Sequence, residues 1–282
     1  MEEKIKIGEM NELTVVKAVD FGLYLDGGAE WGEILLPRRY VPKDYKIGEK
    51  LSVFIYTDSE DRIIATTETP KVKVGEFACL KVVFITPIGA FLDWGLSKDL
   101  LMPLGEMKRK VLIGETCIVA VYLDTETNRV AASARLSQFM SEAPAAYQVG
   151  EEVSLLICNQ TELGYRAIIN NAHWGVIFEN DVFEPIKVGS SKTGYVKRVR
   201  EDGKIDLILH KPGYEKVGDF SDVIIAKLKA AGGFLGLTDK TEPEVIYDMF
   251  GVSKKTFKKA VGALYKKRLI VIEAGGLRLT GT

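Results

Sequence analysis

The sequence predicts a mainly β protein with a small α+β end: three tandem five-stranded barrels followed by one helical module. Three observations predict it. Gly22, Gly89 and Gly164 each sit in a short apolar, strand-like stretch, each 14 residues after a Gly-Glu pair at Gly8, Gly75 and Gly150. A further glycine follows each pair, Gly48, Gly114 and Gly189, at offsets of 40, 39 and 39. Beyond residue 218 the apolar period changes from that of a strand to that of a helix. Three anchors held in register three times mark one repeated unit. The repeats are placed at residues 1–69, 70–135 and 149–214, with a helical spacer at 136–148 and the helical module at 218–282.

In the first repeat Leu13, Val15, Val19, Leu23 and Leu25 share one face of period two, which turns Tyr24 outward. Phe21 breaks the alternation beside Gly22, and a bulge at that glycine would bring both rings to one surface. Residues 31–37 read as a strand ended by proline, 48–55 as a third apolar run, and Asp58-Ser59-Glu60-Asp61 as the turn of a closing hairpin. The second repeat follows the same plan with strands at 77–85, 90–96, 99–103, 116–122 and 129–132. The third closes with a hairpin over 194–209, turned at Glu201-Asp202-Gly203. Five short strands so connected suit an OB-type barrel, which removes exposed sheet edges by closing on itself. The connector 67–74 is short and extended, and Lys211-Pro212-Gly213 ends the third repeat.

The module opens with a helix over 220–231, with Val223, Ile224, Leu228 and Ala231 on one face, stopped at Gly232-Gly233. Pro243 starts a second helix and Gly251 turns the chain. Ser253 caps a longer helix to about Arg268, with Phe257, Val261 and Leu264 as its apolar stripe. Strands at 269–272 and 277–279 flank the turn Ala274-Gly275-Gly276. Helix, helix-turn-helix and terminal hairpin form the layout of a winged helix.

Hydrophobic content of 46% supports packed cores. No apolar run approaches the roughly 18 residues of a membrane span. The start, Met1-Glu2-Glu3-Lys4, lacks the basic patch and apolar stretch of a signal peptide. Cys79, Cys117 and Cys158 have no CxxC spacing and read as buried, reduced thiols. A cytoplasmic protein with no membrane partner is expected. The net charge of −1 hides a gradient: −5 over residues 1–70, +1 over 71–145, −2 over 146–215 and +5 over 216–282. A polyanion meets the last segment most favourably.

The β units resemble the S-one class of OB-fold RNA-binding repeat, through Phe21-Gly22-Leu23-Tyr24-Leu25, Gly89-Ala90-Phe91-Leu92 and Gly32-Glu33-Ile34-Leu35-Leu36-Pro37. Three such repeats ahead of a winged helix resemble the conserved virulence factor B family of bacterial RNA-binding proteins. Residues 58–66, 89–96, 168–175 and 200–207 are similar to that family. The resemblance implies RNA binding and a regulatory role, and supplies no target.

The outward position two after each repeat glycine holds Tyr24, Phe91 and Arg166. Rings so placed stack on bases, for about 1–3 kcal/mol per base; Arg166 stacks by its guanidinium plane or reaches phosphate. The alternative is that the rings pack under a neighbouring repeat. His173-Trp174-Gly175 stands where Trp31-Gly32 stands in the first repeat, so Trp174 either stacks on a base with His173 on phosphate, or closes the barrel. Tyr195, Lys197, Arg198 and Arg200 crowd one strand, as a single-strand interface or as a solvated face paired with Glu201 and Asp202. Lys254, Lys255, Lys258 and Lys259, joined by Lys266-Lys267-Arg268, are the clearest phosphate-facing candidates. Lys108-Arg109-Lys110 and Arg38-Arg39 are weaker loop charges. There is no phosphate loop, no H-E-x-x-H and no acidic cluster around His173 or His210; Asp20, Asp26 and Asp93 flank strand turns. No enzyme activity, metal, cofactor or small-molecule substrate is therefore expected. Single-stranded RNA is the expected partner, with the ribosome or other proteins meeting the acidic first repeat. Duplex DNA read by the winged helix is the rival.

Overall fold

The computed structural model describes residues 4–182, 185–211, 217–238, 240–250 and 252–280. Pro212, Gly213 and Gly251, expected to end the third repeat and to turn the chain, lie outside the described residues. The chain forms two compact units, Met1–Glu142 and Ala143–Thr282. It is mainly β with few helices: barrels followed by a winged-helix domain.

The first repeat runs β1 (Met10–Val19), β2 (Gly22–Asp26), a single helical turn α1 (Gly28–Trp31), β3 (Glu33–Pro37), β4 (Lys50–Thr57) and β5 (Ile63–Thr66). These close into a barrel of order β1-β2-β3-β5-β4. Trp31 therefore sits in α1 and not in the strand, because Gly32 turns the backbone at φ +61° before β3 starts. The second repeat is β6 (Phe77–Thr86), β7 (Gly89–Asp93), β8 (Leu100–Pro103), β9 (Thr116–Asp124) and β10 (Arg129–Ser133). The third is β11 (Glu152–Thr161), β12 (Gly164–Ile169), β13 (His173–Phe178), β14 (Ser191–Val199) and β15 (Ile205–Ile208), again a closed barrel.

The second repeat departs from the expected closure. Its five strands form a sheet of order β10-β9-β6-β7-β8 whose ends are not laddered together. The closing ladder shortens with the third strand of each repeat. Six-residue β13 makes three parallel pairs with β15, five-residue β3 makes one with β5, and four-residue β8 makes none with β10.

The repeat glycines fix the geometry. A Cβ on Gly22, Gly89 or Gly164 would lie 2.1, 2.2 or 2.1 Å from the carbonyl oxygen of Leu36, Met102 or Ile177, so only glycine lets the second strand meet the third. The later anchors act on the first strand. Gly48, Gly114 and Gly189, at φ of 87°, 90° and 87°, donate their amides to the carbonyls of Val15, Val82 and Ile157, each at 2.8 Å. The register slips by one residue immediately afterwards, between Val15 and Lys17, Val82 and Phe84, and Ile157 and Asn159. The bulge thus lies on the first strand rather than at Gly22. It breaks the expected single face: Leu13 and Val15 are buried, whereas Val19 is only half-buried.

The first two repeats share one core. Phe54, Tyr56 and Ile64 pack with Val82, Leu92, Trp94 and Met102. Trp94 stands edge-on to Phe54 and Tyr56, with ring centres 5.6 and 6.3 Å away. Its Nε1 donates to the Lys98 carbonyl at 2.6 Å, and the Lys98 ammonium donates to the carbonyls of Thr57 and Asp58 at 2.8 and 2.6 Å. Burial of that ammonium pulls the Lys98 pKa down. An Arg129–Asp61 ion pair adds a second tie between the repeats.

The expected helical spacer reduces to one 3-10 turn, Leu136–Phe139. Pro144 disfavours helix at the residue before it, and the Ala143 carbonyl instead meets the His173 ring. Beyond the third repeat come α2 (Val217–Ala230), β16 (Phe234–Leu235), α3 (Pro243–Phe250), α4 (Lys254–Lys266), β17 (Ile270–Glu273) and β18 (Gly276–Leu279). The buried stripe of α2 is Phe220, Ile224 and Leu228, while Val223 and Ala231 face solvent. Gly232 and Gly233 end α2 as expected, at φ of 70° and 88°. β16 had no signal in the sequence: two residues are too short for a period. Phe257, Ala260, Val261 and Leu264 of α4 join that core with Ile246, Ile270 and Leu277.

Gly89→Ala is expected to destabilise the first unit by more than about 3 kcal/mol, because the clashing atom is backbone. Chemical denaturation measures it; Gly28→Ala, with open space at its Cβ, is the comparison for a φ penalty alone.

Candidate nucleic-acid interface

The bulge sets which side chains meet across the first two strands of each repeat. Lys17 pairs with Tyr24, Phe84 with Phe91 and Asn159 with Arg166. In the first repeat the Lys17 ammonium lies 4.8 Å from the Tyr24 ring centre and pairs with Glu33 at 2.6 Å. Phe21 stands edge-on to Tyr24 at 6.2 Å, so both rings do reach one surface. In the second, the Phe84 and Phe91 rings are 6.1 Å apart; Phe84 is 56% exposed and Phe91 half-buried. In the third, the Arg166 guanidinium stacks 3.7 Å from the Trp174 ring centre. Leu35, Leu101 and Val176, all half-buried, lie opposite Tyr24, Phe91 and Arg166 on the third strand.

Counted from the register, Trp174 stands opposite Ile168 and corresponds to Glu33, not to Trp31. The loop between the second and third strands is one residue shorter in the third repeat, since Gly22 meets Pro37 but Gly164 meets Phe178. His173 has both ring nitrogens engaged: Nδ1 is 3.0 Å from the Tyr147 hydroxyl and Nε2 2.8 Å from the Ala143 carbonyl. It braces the spacer against the barrel.

The side chains crowded on β14 and at Arg200, just past its end, are partnered with acids other than the expected Glu201 and Asp202. Tyr195 donates to Glu152 at 3.1 Å, a bond that pushes its phenol pKa up. Lys197 pairs with Asp181 at 2.5 Å and Arg200 with Asp206 at 2.8 Å. Arg198 is exposed and has no ion pair among the described residues.

The helix α4 is different. Ser253 caps it, accepting from the Thr256 amide at 3.0 Å. Lys255, Lys258 and Lys259 are exposed and Lys254 is half-buried. Neither these four nor Lys266, Lys267 and Arg268 has an ion pair among the described residues. No acidic residue occupies the first turn. Cations there face the positive end of the helix macrodipole, a cost of about 0.3–1 kcal/mol each.

Asp26 and Asp93 close turns by accepting from the Gly28 and Gly95 amides, and Asp93 also pairs with Lys71, which holds its carboxyl below the usual range. Among the described residues, no three His, Cys, Asp or Glu side chains cluster as a metal site, and no helix is long and apolar enough to cross a membrane.

Residues 7–68 and 74–133 match the family model described as S1 domain, and residues 222–279 match that of the CvfB-like winged helix domain. The Bacillus subtilis protein YitL is 26% identical over 97% of this chain and 94% of its own length. A Staphylococcus epidermidis protein named conserved virulence factor B is 25% identical over 99% of this chain and 96% of its own. A Staphylococcus aureus protein of the same name is 24% identical over 99% and 95%. A Streptococcus pneumoniae crystal structure, titled a multidomain protein with nucleic acid binding domains, is 20% identical over 97% of this chain and 98% of its own, at a TM-score of 0.43. The chain carries S1 domains and a CvfB-like winged helix domain, and is similar over nearly its whole length to proteins named conserved virulence factor B. Both domain types point to nucleic-acid binding.

Exposed ion pairs contribute about 0–1 kcal/mol. Asp181→Asn is therefore expected to lower the stability of the second unit by less than about 1 kcal/mol, read by urea denaturation. A larger loss would mean that the Lys197–Asp181 pair holds the barrel together.

Proposed function

We propose that the chain is a non-catalytic, single-stranded RNA-binding protein acting as a post-transcriptional or virulence-related regulator. The observation that carries this reading is the run of unpaired lysines at the N-terminal end of α4. An amide-rich helix end is already an anion site. Among the described residues Lys254 and Lys255 stand in that first turn with no carboxylate partner, which is unfavourable for the free protein and favourable once phosphate arrives. Lysines act as point charges and grip backbone rather than read bases.

The barrels supply the sequence-tolerant part. Phe84 with Phe91, Phe21 with Tyr24, and Arg166 over Trp174 are flat faces on which unpaired bases stack. Phe84 and Phe91 rank first, because the first repeat is acidic and Lys17 is already held by Glu33. Among the described residues, Arg198 of β14 has no ion pair to break. Lys197, Arg200 and Tyr195 must first release their carboxylates. His173 acts as a brace in this reading and leaves stacking to Trp174.

Two measurements test the proposal. Lys254→Glu with Lys258→Glu is expected to weaken binding of a labelled oligoribonucleotide regardless of sequence. It should flatten the slope of log affinity on log salt by roughly 1.4, since each contact to a single strand contributes about 0.7. Unchanged affinity removes α4 from the interface. Lys254→Glu alone should raise thermal stability, by about 0.3–1 kcal/mol, as a carboxylate replaces an ammonium at the helix start. Tighter binding to duplex DNA than to single-stranded RNA would favour a winged-helix DNA reader instead.

A further inference from the structure

Among the described residues, strand β17 is the outer edge of the winged-helix sheet, whose order is β16-β18-β17. Its parity is fixed by its neighbours. The Thr280 amide donates to the Leu269 carbonyl at 3.1 Å, and Leu269, Val271 and Glu273 continue that alternation toward β18. Ile270 and Ile272 therefore turn their N–H and C=O groups outward. The same parity shows on β18, where Leu279, opposite Ile270, turns its amide the other way, to the Gly233 carbonyl at 2.8 Å. Natural edges are usually blunted by proline, a bulge or an inward charge. β17 is short, at four residues, which limits such pairing, but residues 269–272 carry no proline, bulge or charge. Leu269, Val271 and Ile272 are instead 41%, 42% and 51% exposed.

We propose that β17 is a pairing strand for a second copy of this chain. In an antiparallel pair with its two-fold axis at Val271, Ile270 of one copy stands opposite Ile272 of the other. The two exchange both N–H···O=C bonds, and all four outward groups are satisfied at once. The charges choose the direction. Lys266, Lys267 and Arg268 precede the strand and Glu273 ends it. Antiparallel pairing places Leu269 opposite the second copy's Glu273 and brings Arg268 beside that carboxylate, to share it with the Arg278 guanidinium that already holds it at 2.6 Å. Parallel pairing would set like charge against like.

A contact of one four-residue strand per copy is small against the roughly 1,200 Å² of stable complexes, so pairing depends on concentration. It puts two lysine helices on one particle, and a strand long enough to reach both is held by avidity rather than by new contacts.

Sedimentation equilibrium of the full chain, cleared of nucleic acid by nuclease and high salt, tests it from micromolar to millimolar concentration. The mass is expected to rise from one chain of 31.2 kDa toward two. Ile272→Pro removes an outward N–H and no bond to β18, which edge strands tolerate. It should stay at the one-chain mass with unchanged circular dichroism. Ile272→Lys, which adds a charge to an exposed edge, should do the same and covers the case in which the proline variant misfolds. A wild-type chain that remains single throughout overturns the proposal. So does an Ile272→Pro variant that folds and pairs like the wild type, or a mass that rises only when RNA is added back.

Discussion

The surface chemistry of the barrels depends on one backbone hydrogen bond made three times. A glycine in left-handed conformation, at 48, 114 and 189, donates its amide to the residue that precedes the bulge on the first strand. Other residues enter that conformation at a cost of roughly 1–2 kcal/mol. The bond pins the strand, the bulge follows, and side chains seven residues apart are brought face to face: 17 with 24, 84 with 91, 159 with 166. Because the frame is set by backbone, its side chains are free to vary. The three repeats hold Lys with Tyr, Phe with Phe, and Asn with Arg on one geometry.

Charge is organised by pairing rather than by number. On the third barrel Lys197, Arg200 and Lys204 each have a carboxylate within 2.8 Å. Those cations are already neutralised, and an incoming phosphate competes with Asp181, Asp206 and Asp202. On α4, Lys254 and Lys255 have no ion pair among the described residues and stand at the helix end where the peptide dipoles oppose them. A free energy cost left standing in the folded protein is offset when an anion binds, which is why the helix rather than the barrel leads the proposed interface.

Much of this was legible in the sequence. The spacing of Gly8, Gly22 and Gly48 and of their counterparts located every repeat, since close strand approach and left-handed turns both demand glycine. Ser253 announced α4, because a hydroxyl ahead of an apolar stripe satisfies a free amide. Phe84 was missed, since counting by two across an unseen bulge puts it on the wrong face. Its constant seven-residue distance from Phe91, shared by Lys17 and Tyr24, was the available signal. The Trp31–Trp174 equivalence failed because the loop before the third strand is one residue longer in the first repeat. The partners of Lys197 and His173 come from other elements, so no local pattern foretold them.

Ultraviolet cross-linking of the full chain to a short single-stranded oligoribonucleotide, with the adducts mapped by mass spectrometry, tests the central claim most directly. Adducts concentrated at Phe84 and Phe91 and along residues 253–259 are the predicted result. Adducts confined to the acidic first repeat, or an even scatter that spares α4, would contradict it.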